Sequence, residues 1–405
     1  MKVPLLLDGA ADPVMRQRGM NSYDCTAEWI ISHPDIIKPL YESYAESGSD
    51  IICTATADAN LHRLKQYGLE NKMESVNQQL CEMLKPYCTN GIKMAGVVST
   101  TNHLPEPFGD EEFLKLFYVF LEQANILKKS GADILWVQAM TSLAEMRAAV
   151  IACKRTGLPV YASVTLESDG QTKSGATPLS CLICMQALGV EAFGFEYCDY
   201  RIISDAVREI APYAEIPVIA RPDAGLEDAR GIHNMSGCRF AEIAAECIKS
   251  GASLIGGGDG TQPEHILALR HMIEDKNITV PEIEKCYDES QILVSSAAQP
   301  FFLNADSIET SEPLVCSQDM ADEIIDINES NLDVITVEIQ NYDDAFLFSQ
   351  NSHYVSLPVM FKASNKLALE TALLLYNGKA LIDRTSDIDE DELRRIEKKY
   401  GALIY

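Results

Sequence analysis

Basic side chains are scarce in this 405-residue chain: 33 Lys and Arg stand against 60 Asp and Glu, a formal charge of −27 with pI near 4.6. A protein binds nucleic acid by displacing counterions from phosphates with Lys and Arg, and this surface would repel them. Long hydrophobic runs are also missing. No stretch reaches the roughly 20 apolar residues of a spanning helix, and the N-terminal Leu5-Leu6-Leu7 run stops at Asp8, too short for a signal segment. The expectation is a cytoplasmic protein without a membrane or nucleic-acid partner. With 47% hydrophobic and only 23% charged residues, the composition is that of a folded chain and not of a disordered one.

A paired cysteine framework is absent too, although the chain has 12 cysteines. They are scattered, as buried thiols in a reducing compartment would be. The one C-x-x-C, Cys181 with Cys184, lies inside the apolar run Leu179 to Leu188 and reads as core packing.

What is present is a recurring turn phrase: Gly48-Ser49-Asp50, Gly131-Ala132-Asp133, Gly189-Val190-Glu191 and Gly251-Ala252-Ser253, each followed by an apolar run. Each reads as a helix stop before a buried strand. Pro159 and Pro217 open two more strands, where Pro need not donate to the ladder. Together with Leu5 to Asp8 and Lys93 to Val97 these make eight short strands near residues 5, 51, 93, 134, 160, 192, 218 and 253. Helical segments alternate with them, among them Pro34 to Glu46, Glu111 to Lys128, Ser204 to Ile210 and Pro263 to Ile273. Eight β-α units of this size predict a TIM barrel over residues 1–290, with its chemistry at the C-terminal ends of the strands.

After a polar stretch from Glu274 to Ser290 the rhythm resumes over 291–405. Leu332 to Val337, Leu357 to Phe361, Lys379 to Asp383 and Gly401 to Tyr405 read as parallel strands, with an earlier one around Phe301 to Leu303. That is about half a barrel. Its last strand must expose an edge, bury it, or pair it with another chain, so a homo-oligomer through this C-terminal unit is one expectation.

The strand ends to inspect are Asp8, Thr54 to Asp58, Ser99 to Asn102, Gln138, Thr165 and Glu167, Glu196 to Asp199, Arg221 to Asp223, and Gly256 to Gly260. Several of these belong to phrases that resemble the homocysteine S-methyltransferase family. They are Asp8-Gly9-Ala10, His33-Pro34-Asp35, Tyr41 and Tyr44 before Ser47-Gly48-Ser49-Asp50-Ile51-Ile52, Pro222 with Ala224-Gly225, and Gly256-Gly257 with Gly260-Thr261 and Pro263-Glu264-His265. The order is similar to the first two modules of cobalamin-dependent methionine synthase, with residues from Phe301 similar to the start of its folate-binding barrel.

That resemblance implies methyl transfer to a small-molecule thiol bound to zinc by three cysteine thiolates, with the metal lowering the thiol pKa. The ligand positions fall on Tyr197, Gly258 and Asp259, so all three cysteines are replaced. The acidic residue that would receive an amino group aligns with Gln138, the Asn of the strand 7 phrase with Asp223, and the pterin-gripping residues with Glu338, Lys362 and Asp383. Asp8 is retained.

Glu196, Cys198 and Asp259 lie at neighbouring strand ends and read as a replacement zinc site. Asp8, Gln138, Asp223 and Arg221 are the expected substrate contacts, Arg221 as a cation for an anionic group. A corrinoid or folate would enter only through a partner, for instance a corrinoid protein. Two other readings stand beside diverged methyl transfer. One is a non-catalytic binding or regulatory partner of a methyltransferase complex. The other is a barrel enzyme that holds a phosphorylated ligand on the backbone of Gly257, Gly258 and Gly260.

Overall fold

The computed structural model describes residues 3–107, 109–225, 234–286, 288 and 290–405. Eight parallel strands form one sheet: β1 (Leu5–Leu6), β2 (Ile51–Cys53), β3 (Lys93–Ser99), β4 (Ile134–Met140), β5 (Val160–Val164), β6 (Ala192–Glu196), β7 (Val218–Arg221) and β8 (Leu254–Ile255). Their order is β1-β8-β7-β6-β5-β4-β3-β2, and a parallel bridge between Leu7 and Ile51 joins the two edges into a (β/α)8 barrel. No helix among the described residues is long and apolar enough to cross a membrane.

The repeated turn phrase has a physical basis. Its four glycines, at 48, 131, 189 and 251, all take positive φ, which ends the preceding helix without Cβ strain. The third residue of each phrase then accepts a backbone N–H from the neighbouring strand. Asp50 Oδ2 takes Leu6 N at 2.7 Å, Asp133 Oδ2 takes Met94 N at 2.9 Å, Glu191 Oε2 takes Val160 N at 2.6 Å, and Ser253 Oγ takes Val218 N at 3.2 Å. Every even-numbered strand thus caps the odd-numbered strand before it. These contacts satisfy donors that would otherwise lie unpaired at the bottom of the ring.

Strand alternation sends Leu7, Ile51, Ala95, Ile134, Trp136, Ala192, Ile219 and Leu254 into one cluster that fills the barrel, while Leu6, Ile52, Val98, Leu135, Val137 and Phe193 pack outward on the helices. Cys181 and Cys184 are buried in the outer layer. One helix differs from the sequence reading. It spans Tyr200–Ile210 and starts four residues before Ser204, because Asp199 caps it by accepting Arg201 N at 2.9 Å.

The C-terminal residues depart further. The strand expected near Phe301 belongs to an antiparallel hairpin, β9 (Gln291–Ser295) with β10 (Pro300–Asn304), and not to the parallel sheet. That sheet has five strands in sequential order: β11 (Leu314–Val315), β12 (Ile335–Ile339), β13 (Val359–Ala363), β14 (Leu381–Ile382) and β15 (Leu403–Ile404). Ile335, Val337, Val359, Phe361 and Ile382 face its helices, whereas Val334, Met360 and Leu381 pack with Val294 and Leu303 of the hairpin. The hairpin therefore covers part of the face that a complete barrel would turn inward.

The barrel itself holds this unit. The buried Arg147 donates to Leu373 O at 3.1 Å and Leu374 O at 3.3 Å, Thr177 N to Ala298 O at 2.9 Å, and Ser180 Oγ to Ser296 O at 2.9 Å.

Candidate functional site

The strand ends converge on a cavity of about 290 Å³ at the barrel mouth, bordered by Asp8, Asp12, Asp58, Gln138, Tyr197, Arg221 and Asp259, with Tyr41 and Tyr44 on its flank. Beneath it lies a fully buried ionic network. Arg221, from the last position of β7, reaches Asp8 Oδ1 at 3.1 Å and Glu196 Oε2 at 3.2 Å. Its Nε donates to Gly257 O at 3.0 Å and its Nη2 to Gly9 O at 3.3 Å, while the guanidinium lies 5.3 Å from the Trp136 ring centroid.

Both carboxylates are further engaged. Asp8 Oδ2 accepts Cys53 N at 2.7 Å. Glu196 accepts Gln138 Nε2 at 3.0 Å, Ala139 N at 3.2 Å and a close contact from the Ser163 hydroxyl, which in turn receives the Trp136 indole N–H at 2.9 Å. Burial pushes the Asp8 and Glu196 carboxyls above their ordinary range, and the guanidinium between them pulls against that shift. The Cys53 thiol, 3.8 Å from Arg221 Nη1, is held well above its usual value, first by burial and then by Asp8.

The expected substrate contacts divide accordingly. Asp8, Gln138 and Arg221 border the cavity, but Asp8 and Arg221 are bound to each other and Gln138 and Arg221 to Glu196, so the charge of Arg221 is met inside the protein. Asp223 instead holds the turn after β8 by accepting Asp259 N at 2.7 Å.

The replacement zinc site does not assemble. Glu196 is fixed on the Arg221 side, and burial pushes the Cys198 thiol up to about 12, so it is not a ready thiolate. Among the described residues, one group of three potential ligands has all its donor atoms within 4.8 Å of one another: His62, His103 and Glu111, not Glu196, Cys198 and Asp259. Nor do the positions to which the resemblance assigns the ligands fit a thiolate-held zinc. Burial keeps the Tyr197 phenol protonated, and a Cβ at Gly258 would lie 2.4 Å from Asp223 Oδ1 and 2.6 Å from Arg221 O.

The glycine turn does not form the expected phosphate cradle either. Its N–H groups already have acceptors: Gly256 donates to Ala220 O, Gly257 to Asp8 O, Gly258 to Pro222 O, Asp259 to Asp223 Oδ1 and Gly260 to Asp259 Oδ1, at 2.7 to 3.1 Å. An anion arriving there would meet no free donors. Sequence reasoning also missed residues. Ser163 and Cys53 carried no motif. Asp12 at the rim gave no signal because it follows β1 by several residues.

Comparison with known proteins agrees with this architecture. The chain is 27% identical over 276 residues to methionine synthase of Mycobacterium tuberculosis, covering 64% of this chain and 23% of that protein. It is likewise 27% identical over 279 residues to the Mycobacterium leprae methionine synthase, covering 63% of this chain and 22% of that one. The chain thus spans about a quarter of the length of these curated relatives. Among solved structures, the homocysteine methyltransferase MmuM from Escherichia coli in its metallated form superposes with a TM-score of 0.58 at 18% identity, over 66% of this chain and 96% of that one. At that identity the likeness establishes the fold. Residues 5–273, which take in all eight barrel strands, match the model described as homocysteine S-methyltransferase, and the chain belongs to that family.

Proposed function

We propose that the barrel mouth binds a small methyl acceptor, a thiol or related nucleophile carrying an ammonium group, and that the chain transfers a methyl group to it within a corrinoid-dependent system. The observation that carries this reading is the cavity itself. At about 290 Å³ it lies at the small end of the roughly 300–1,000 Å³ range of small-molecule sites, suited to an amino acid and too small for a folate. Its rim carries Asp12 and Asp259, together with Asp58, which Arg63 already meets at 2.9 Å, and this excess of carboxylates favours a cationic group.

The chain's own residues define what happens there. The Asp8, Arg221 and Glu196 network is a rigid floor, which positions the acceptor without presenting an unpaired charge to it. Tyr197, at φ +55°, turns its backbone at the strand end where the family would place a metal ligand. The residues present at the mouth do not fit zinc. The corrinoid, and any folate, would come from a partner protein, a reading supported by family membership and the match to methionine synthases.

The test is isothermal titration of the EDTA-treated full chain with L-homocysteine, with and without added zinc, beside the Asp12→Asn/Asp58→Asn double variant. Binding at about 1 mM or tighter, independent of zinc and weakened in the variant, is expected. No binding under either condition would overturn the proposal. It would favour a non-catalytic partner of a methyltransferase complex, a reading supported by the mutual occupation of Asp8, Gln138, Glu196 and Arg221.

A further inference from the structure

Outside the mouth, the structure assigns a divalent-metal site to His62, His103 and Glu111, with zinc as the ion best matched to two imidazoles and one carboxylate. None of the three borders the mouth cavity, and the inference does not rest on the methyl-transfer reading. His62 belongs to the short helix Leu61–Lys65 after β2, and His103 and Glu111 belong to the loop after β3. The two imidazole centroids lie 4.8 Å apart at an interplanar angle of 58°, and the donor atoms of all three residues fall within 4.8 Å of one another. Zinc bonds of about 2.0–2.1 Å place tetrahedral donors about 3.4 Å apart, so side-chain movements of about an ångström would complete the set.

The backbones that carry these donors are already fixed. Asn60 caps the His62 helix by accepting Arg63 N at 3.0 Å, and its amide donates to Ser99 O and Thr100 O, each at 3.3 Å, tying that helix to the loop after β3. Thr100 and Thr101 of this loop are anchored on the buried Glu145 through three contacts of 2.7 Å. Glu111 is held to the same loop, its N–H donating to Leu104 O at 3.3 Å and its carbonyl accepting Glu106 N at 2.9 Å.

Asp110 Oδ1 lies 3.7 Å from His103 Nδ1. Lys115 competes for Glu111 Oε1 at 3.2 Å, but it is exposed and has Glu112 as a second partner at 3.5 Å, so a metal can displace it. The ion would staple the loop after β2 to the loop after β3.

The experiment is a titration of the EDTA-treated, gel-filtered full chain with zinc chloride, read by calorimetry and by melting temperature. About one equivalent should bind, with affinity falling about tenfold or more in His62→Ala and in His103→Ala, while Cys198→Ala binds as the wild type does. Glu111→Gln, which preserves shape, should weaken binding while leaving the metal-free melting temperature unchanged. It keeps the test decisive if a histidine variant misfolds. Uptake below about a tenth of an equivalent would overturn the site. So would uptake unchanged in the histidine and Glu111 variants, or uptake lost when the exposed thiols are removed in Cys238→Ser/Cys286→Ser.

Discussion

Replacing Arg221 with methionine removes the guanidinium held between Asp8 and Glu196 and leaves two carboxyls in a fully buried site. Breaking a buried ion pair by deleting one partner costs about 3–5 kcal/mol, chiefly because an uncompensated charge remains. The lost hydrogen bond to Gly257 O adds about 1 kcal/mol. The carboxyls can escape part of this cost by taking up protons. Burial already raises both pKa values above their unfolded values, and loss of the cation raises them further.

For an acid whose folded pKa is raised, the folded state holds the extra proton between the two pKa values, so stability present below the unfolded pKa is lost as pH rises through the folded pKa. The variant should therefore be impaired most at about pH 8 and least at about pH 5, where its deficit falls to about half. With about 2–4 °C per kcal/mol for a domain of this size, the total of about 4–6 kcal/mol gives an expected drop in melting temperature of about 8–24 °C at the higher pH. Circular dichroism melts of wild type and variant at both pH values measure it. A shift under about 2 °C at the higher pH, or a larger deficit at the lower one, would refute the ionic floor.

Gly258→Cys introduces the ligand type that the resemblance implies where a Cβ would clash with Asp223 Oδ1, so the variant should lose about 1–3 kcal/mol and bind no more zinc than the wild type by elemental analysis. Trp136→Phe removes the indole bond to Ser163 and weakens the stacking on Arg221, an expected loss of about 1–2 kcal/mol in denaturant titration. Gly401→Ala places a side chain at φ +66° with its Cβ 2.7 Å from the Ala187 backbone. Protease sensitivity of the C-terminal unit should rise, with the barrel melting transition little changed.

How much was legible in the chain follows from what is local. The phrases ending in Asp50, Asp133, Glu191 and Ser253 announced four strands, because a glycine at positive φ and an acceptor two residues later are both short-range requirements. The hairpin of β9 and β10 was misread as part of a parallel sheet, since an apolar run such as Phe301 to Leu303 carries no sign of which strand it will pair with.

By itself the sequence determined the eightfold alternation and the strand ends, each a matter of residue type and spacing along the chain, whereas the replacement of the three zinc cysteines was implied by the family resemblance. Tertiary structure alone decided the partners. Arg221 was read as a cation awaiting an anion and is closed between Asp8 and Glu196, residues 213 and 25 positions away. Likewise His62 meets His103 and Glu111 only because the barrel sets the ends of β2 and β3 side by side. Ion pairing and ligand geometry depend on distance in space, and that distance exists only once the ring has closed.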